Sequence, residues 1–292
     1  MRDANAAGIV PHSLTCRGGV RTMRAGGIGA FVEFSVLGSG SRGNAVLVAA
    51  GGVRILVDAG LNMKDTAARM ATIGLPDARI DAVFVTHEHN DHVQGLGPVA
   101  RATGAAVWCT DGTRRCVEDR LKGASRVCGL AAAVPVVVGE LVVEPIAKPH
   151  DAAEPVGFLV HHDGETLGVF TDLGSVDATV GEAIGRCTSL VMEANYDPGL
   201  LAAGPYPANL KSRIASPYGH LSNADAANAV ARFAHRKLRT LVLAHLSEQN
   251  NATHLARTAF VQSMGPPRPG LERWVSAQER PTRLFAAAAA QA

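Results

Sequence analysis

His87-Glu88-His89-Asn90-Asp91-His92 packs three histidines and an aspartate into six residues, at the end of the short apolar run 81–86. The run reads as a strand opening into a loop, where folds commonly expose functional side chains. Imidazole nitrogens and carboxylate oxygens suit borderline divalent cations such as zinc. Along an extended backbone His87 and His89 point to one side and can share an ion, while Asp91 and His92 reach a second once the chain turns. The bland alternative is a solvated loop of ordinarily hydrogen-bonded imidazoles, the usual explanation of a lone histidine. Four such donors directly after a strand favour ligation.

Outward from this stretch the pattern calls for sheets. Residues 31–37, 45–49 and 53–57 are β-branched runs separated by glycine-rich breaks, a strand meander. Met63, Ala67, Met70 and Ile73 give 62–73 helical spacing, which Gly74 and Pro76 stop. Further on, 92–103 and 111–122 read as helices, 105–109 as a strand, and 134–147 as two strands broken at Gly139-Glu140. Segments 156–161 and 166–171 flank His162-Asp163-Gly164-Glu165, and Asp-Gly between apolar runs signals a hairpin because glycine tolerates positive φ. Residues 190–193 and 238–246 are strand-like, and 223–236 is helical with Ser222 as N-cap. No internal repeat is visible. Two strand-rich halves with helices predict an α/β fold of two packed sheets covered on their outer faces, one layered domain over 31–285. Residues 1–30 and the alanine-rich 286–292 read as tails, and Met23 is an alternative start of translation.

Composition agrees with a packed globule: of 292 residues, 47% are apolar and 18% charged. A net charge of +2 is too small to indicate nucleic-acid or membrane binding. The five cysteines, Cys16, Cys109, Cys116, Cys128 and Cys187, are odd in number and never spaced as Cys-x-x-Cys, which argues against a disulfide framework or a thiolate zinc site and for a cytoplasmic location. No run approaches the roughly 20 apolar residues of a membrane span. Pro11, His12 and Arg17 interrupt what would be the apolar region of a signal peptide.

The cluster matches H-x-H-x-D-H, and the chain at this point resembles the metallo-β-lactamase superfamily over about residues 31–255. The resemblance continues in order through His150 in Lys148-Pro149-His150-Asp151, Asp172 in Phe170-Thr171-Asp172, and His245 in Leu243-Ala244-His245-Leu246. Taken singly, those residues would read as satisfied histidines and a turn aspartate. The resemblance implies a four-layer αββα sandwich and two divalent ions, zinc first and manganese second. His87, His89 and His150 would bind one, Asp91, His92 and His245 the other, and Asp172 would bridge them. Asp58 would support the site from behind, and Asp91 would also orient or deprotonate the nucleophile.

Downstream, Met192-Glu193-Ala194-Asn195-Tyr196 and Gly219-His220-Leu221-Ser222-Asn223 resemble segments of the superfamily's phosphodiesterase and nuclease branches. Carried over, His220 is a general acid or phosphate contact and Glu193 fixes its tautomer. The plainer reading is a surface strand residue and a helix-cap histidine. With Leu37-Gly38-Ser39-Gly40-Ser41-Arg42-Gly43-Asn44, these segments are most like the YycJ-like (WalJ-like) branch, which implies a 5′-end-directed exonuclease with DNA as substrate. The span from Asp172 to His245 is too short for an inserted β-CASP domain. Lys211 and Arg213 are candidate phosphate contacts, as is the Arg236-Lys237-Arg239 group, although basic residues usually form solvated faces. Competing readings are a thioesterase or lactonase using the same cluster, and a metal-binding protein without turnover. Gly38 to Gly43 also spells the dinucleotide fingerprint, but a strand-like 44–48 follows where that motif needs a helix.

Overall fold

The computed structural model describes residues 32–266 and 268–287. The expected tail 1–30, with His12, Cys16 and Met23, lies outside them, as does 288–292.

The first sheet begins with the antiparallel β1 (Val32–Gly38), β2 (Ala45–Ala50) and β3 (Val53–Val57). Parallel additions follow: β4 (Ala82–Phe84), β5 (Ala106–Thr110) and β6 (Val127–Leu130). Helices α1 (Met63–Thr72), α2 (Asn90–Val93), α3 (Leu96–Thr103) and α4 (Asp111–Cys116) lie between them in sequence. The second sheet repeats the plan. Antiparallel β7 (Val136–Val138), β8 (Leu141–Ala147), β9 (Val156–His162) and β10 (Glu165–Phe170) lead into parallel β11 (Ser189–Glu193), β12 (Thr240–Ala244) and β13 (Glu272–Val275). Its connections carry α5 (Ala178–Gly185), α6 (Pro198–Ala203), α7 (Ala208–Ile214), α8 (Asn223–Phe233) and α9 (Thr253–Met264). Finally β14 (Phe285–Ala287) returns to pair with β1. It runs two residues into the stretch expected to fray, because Ala286 and Ala287 find backbone partners in Glu33 and Val32.

Three apolar layers make this a four-layer αββα sandwich. Along β3, Ile55 and Val57 face the second sheet while Leu56 faces α1 and α3; along β11, Val191 faces inward while Leu190 and Met192 face α5 and α8. Both faces of each strand are therefore covered, which is why these strands read as unbroken apolar runs and not as alternation. Phe84 and Phe158 meet edge to face at 5.7 Å between the sheets. The hairpin falls where Asp163-Gly164 signalled it, with φ of 46° and 79° in a two-residue turn closed by the pair His162 and Glu165.

The expected helix 111–122 is broken at Val117, where φ is −111°. His161 and His162, expected exposed, are half-buried, and His161 contacts Glu144. Cys109 and Cys187 are free thiols whose pKa burial pushes up to about 12. Among the described residues, no helix is long and apolar enough to cross a membrane.

Candidate metal centre

The parallel strands point their carboxyl ends the same way, and the expected residues collect there, in the crevice where open α/β sheets bind ligands. Asp58 follows β3, His87 follows β4, Asp172 follows β10 and His245 follows β12. Asp58, Asp172 and His245 hold φ of 63°, 55° and 55°, a left-handed conformation costly for residues with a side chain. Each sits at the residue where a strand must turn sharply to present a side chain over the sheet edge.

Four donor groups have atoms within 4.8 Å of one another: His87/His89/His150, Asp91/His92/His245, His87/His92/Asp172, and Asp172/Glu193/His220/His245. The first two are the triplets drawn from the resemblance. Asp172 stands between them, with Oδ2 3.1 Å from His92 Nε2, and Oδ1 3.5 Å from His245 Nδ1 and 3.9 Å from His150 Nε2. Buried polar atoms lacking a hydrogen-bond partner include His87 Nε2, His245 Nε2 and Asp172 Oδ2. Such orphans are costly unless something pairs with them, and their nitrogen and carboxylate chemistry fits a divalent cation.

The other ring nitrogens are held from behind, as ligating histidines require. His92 Nδ1 donates to Asp58 Oδ2 at 2.7 Å. His87 Nδ1 meets Thr86 Oγ1 at 2.9 Å, and that hydroxyl donates to Asp58. His150 Nδ1 donates to the Gly219 carbonyl at 3.1 Å, and His245 Nδ1 to Glu193 Oε1 at 2.8 Å. Burial lowers the pKa of His87 well below the usual imidazole range and that of His150 to about 4, leaving neutral rings. Burial also acts against charge on His92 and His245, but Asp172 above all reverses it, and His245 rises to about 10. The carboxylates thus favour positive charge here, the demand a cation meets.

Glu193 is 0% exposed and accepts from His220 Nδ1 at 2.9 Å as expected, but it does more. The backbone N–H groups of Asp172, Leu173 and Leu221 also donate to it, at 3.1, 2.8 and 3.0 Å. With both imidazoles, these donors take up its roughly four lone-pair sites, so it serves as a strut and has no oxygen of its own to spare for an ion. Burial opposes its ionisation, yet His220 and His245 bring its pKa down to about 2. The His220 side chain is 22% exposed and lines a cavity of about 200 Å³ together with His89, Asp91, Asp172 and His245.

Arg213 reaches the cleft beside His220, its Nε donating to Asp151 Oδ2 at 2.5 Å. Lys211 does not line it; its Nζ donates to the Ala202 carbonyl of α6 at 2.6 Å. Arg239 precedes β12 and pairs with Glu165, at the end of the strand opposite His245, so that basic group is about 20 Å from the cluster at strand rise.

Several contributors carry no sequence signal. Asn44 donates from Nδ2 to Asp91 Oδ2 at 3.0 Å, and Ser39 Oγ accepts from the His245 backbone at 2.6 Å. Lys148 is a buried ammonium bound to the Thr171 carbonyl at 2.6 Å. Their residue types are common on surfaces, and only the Gly38–Asn44 stretch marked a loop to watch. That loop connects β1 directly to β2, with no helix for a dinucleotide.

The fold and the site define a protein of the metallo-β-lactamase superfamily of metal-dependent hydrolases, and the chain belongs to it: residues 53–246 match the family described as Beta-lactamase superfamily domain. Its relatives include the Exodeoxyribonuclease YycJ of Bacillus anthracis, 36% identical over 233 residues, covering 79% of this chain and 88% of the relative. The Exodeoxyribonuclease WalJ of Streptococcus pneumoniae is 31% identical over 237 residues, 80% of this chain and 88% of its own. Among solved structures, the metallo-β-lactamase fold protein YhfI of Bacillus subtilis superposes with a TM-score of 0.65 at 15% identity, over 86% of this chain and 99% of that one.

Proposed function

We propose that this chain is a dinuclear metal-dependent phosphodiesterase, an exodeoxyribonuclease acting on the ends of DNA, with residues 31–287 as its catalytic domain. The observation that carries the reading is the Glu193–His220 pair at the edge of the two ligand triplets. A thiolate departing from a thioester has no need of a proton donor at that position, whereas a departing alkoxide does. The names of the two bacterial relatives support DNA as the substrate.

In this reading His87, His89 and His150 would hold one cation and Asp91, His92 and His245 the other, with Asp172 available to both. Zinc suits the donor set, and manganese accepts it as well. Two cations held there would supply Lewis acidity toward a phosphoryl oxygen and lower the pKa of an attacking water. Asp91, 21% exposed and steadied by Asn44, orients that water and takes its proton. His220, with Nδ1 held on Glu193, gives a proton from Nε2 to the leaving oxygen.

The test is turnover of bis(p-nitrophenyl) phosphate, single-stranded DNA and a thioester, before and after chelation. Cleavage of both phosphodiesters, lost on chelation and regained with zinc or manganese, is the expected result. His220→Ala should cut kcat on DNA by about 100-fold or more, the usual contribution of a general acid. Thioester turnover alone, or bound metal with no turnover, overturns the reading.

A further inference from the structure

The cleft does not end at the metal cluster. Past His89 and His220 it continues into a second cavity of about 190 Å³, walled by Tyr206, Leu210, Arg213 and Ile214 with Asp151 at its edge. The two cavities share His89, Tyr206, Ile214 and His220, so they are chambers of one cleft. Their linings differ in kind. Beside the shared residues, the walls around the cluster are ligand residues with Ser41, Asn195 and Ser247, whereas the second chamber adds Leu210 and the Arg213 guanidinium, so that only there do the Tyr206 ring and two aliphatic side chains lie beside a guanidinium.

Neither chamber reaches the roughly 300 Å³ at which pockets begin to hold a whole small molecule. Each suits one part of a substrate. A nucleotide divides in this way, into an anionic phosphodiester and a flat base with apolar faces. Tyr206 is half-buried where it borders both chambers. Arg213 is held at the wall by Asp151, the residue after His150, so its position is tied to the cluster.

We propose that this second chamber is a base-stacking subsite. The nucleobase next to the scissile phosphate lies on Tyr206 between Leu210 and Ile214, and Arg213 contacts the flanking phosphate. The proposal rests on the phosphodiesterase reading above. No amide or aliphatic hydroxyl side chain lines the chamber, and Asp151 is engaged by Arg213, so stacking on the Tyr206 ring is the main contact it offers a base. Every base has a π-face, and the subsite accepts any of them.

The experiment compares single-stranded oligonucleotides carrying one abasic residue at either of the two positions nearest each end with their intact counterpart. At one such position the native protein should show KM raised about tenfold or more, the size of one base–aromatic stack. Tyr206→Ala should lose the same factor on intact DNA and nothing further on the abasic strand, while Tyr206→Phe keeps native behaviour. Equal weakening on both strands would mean a merely structural tyrosine and overturns the proposal. Cleavage indifferent to abasic residues overturns the subsite alone. Should no oligonucleotide be cut while bis(p-nitrophenyl) phosphate is still hydrolysed, the nuclease reading fails and the subsite fails with it.

Discussion

The carboxylate of Glu193 accepts from the backbone at Asp172, Leu173 and Leu221 and from the rings of His220 and His245. It therefore fixes one expected ligand, the proton donor and the strand end that carries Asp172 all at once. A carboxamide keeps one oxygen and turns an NH2 toward donors that have no other acceptor. Glu193→Gln should destabilise the fold by about 3 kcal/mol, the range for leaving buried donors unmet, and should lower metal content as well as kcat. His220→Ala, at the partly open edge, should cost kcat with metal content unchanged. Elemental analysis and thermal melting of both variants check this, and a Glu193→Gln protein with native metal content would refute the strut. Sequence reasoning reached the pairing of Glu193 with His220 but not the strut. Each hydrogen bond to Glu193 comes from a residue at least 20 positions away, and backbone donors carry no residue-type signal. The histidines were legible for the opposite reason, since imidazoles and carboxylates at strand ends declare their chemistry by type.

Helix α7 and the loop after it act as one element. A Cβ on Gly219 would stand 2.2 Å from the Arg213 carbonyl oxygen and 2.3 Å from that of Ile214, so only glycine allows the loop to pass the helix end so closely. At the same point the His220 N–H donates to the Ile214 carbonyl and the Gly219 carbonyl accepts from His150. Gly219→Ala should push these contacts apart, with an overpacking cost of about 1–3 kcal/mol. A displacement of about 1 Å at His220 would cost up to about 100-fold in kcat. Native kcat in a variant with native melting would show that the close approach does not position His220. Elements such as α7 escaped the sequence because seven residues give too few turns for a helical period to stand out. Helices this short owe their existence to packing, not to propensity. The long apolar strands were legible because burial on both faces leaves little room for polar residues, as in β11 and β12, where every position is buried.

Each sheet is a meander followed by parallel strands with helical crossovers, and the two stand face to face with their strand ends at one rim. No repeat is visible in the sequence because matching core positions require only apolar character and suitable volume. The cluster draws on both halves: Asp58, His87, His89, Asp91 and His92 come from the first sheet and its loops, and His150, Asp172, Glu193 and His245 from the second. Cations held between them would join the sheets at the rim where β14 and the apolar interior do not reach. A ligand that binds only the folded chain stabilises it by about 2.7 kcal/mol at 100 times its Kd. In domains of about 150–250 residues each kcal/mol moves Tm by about 2–4 °C. Chelation should therefore lower Tm by at least about 5 °C, and zinc or manganese should restore it. The same treatment on His150→Ala, which leaves one triplet whole and the other a member short, should produce a smaller drop from a lower starting Tm. A Tm unchanged after chelation, with metal content measured as zero, would mean that packing alone holds the two sheets together at this rim.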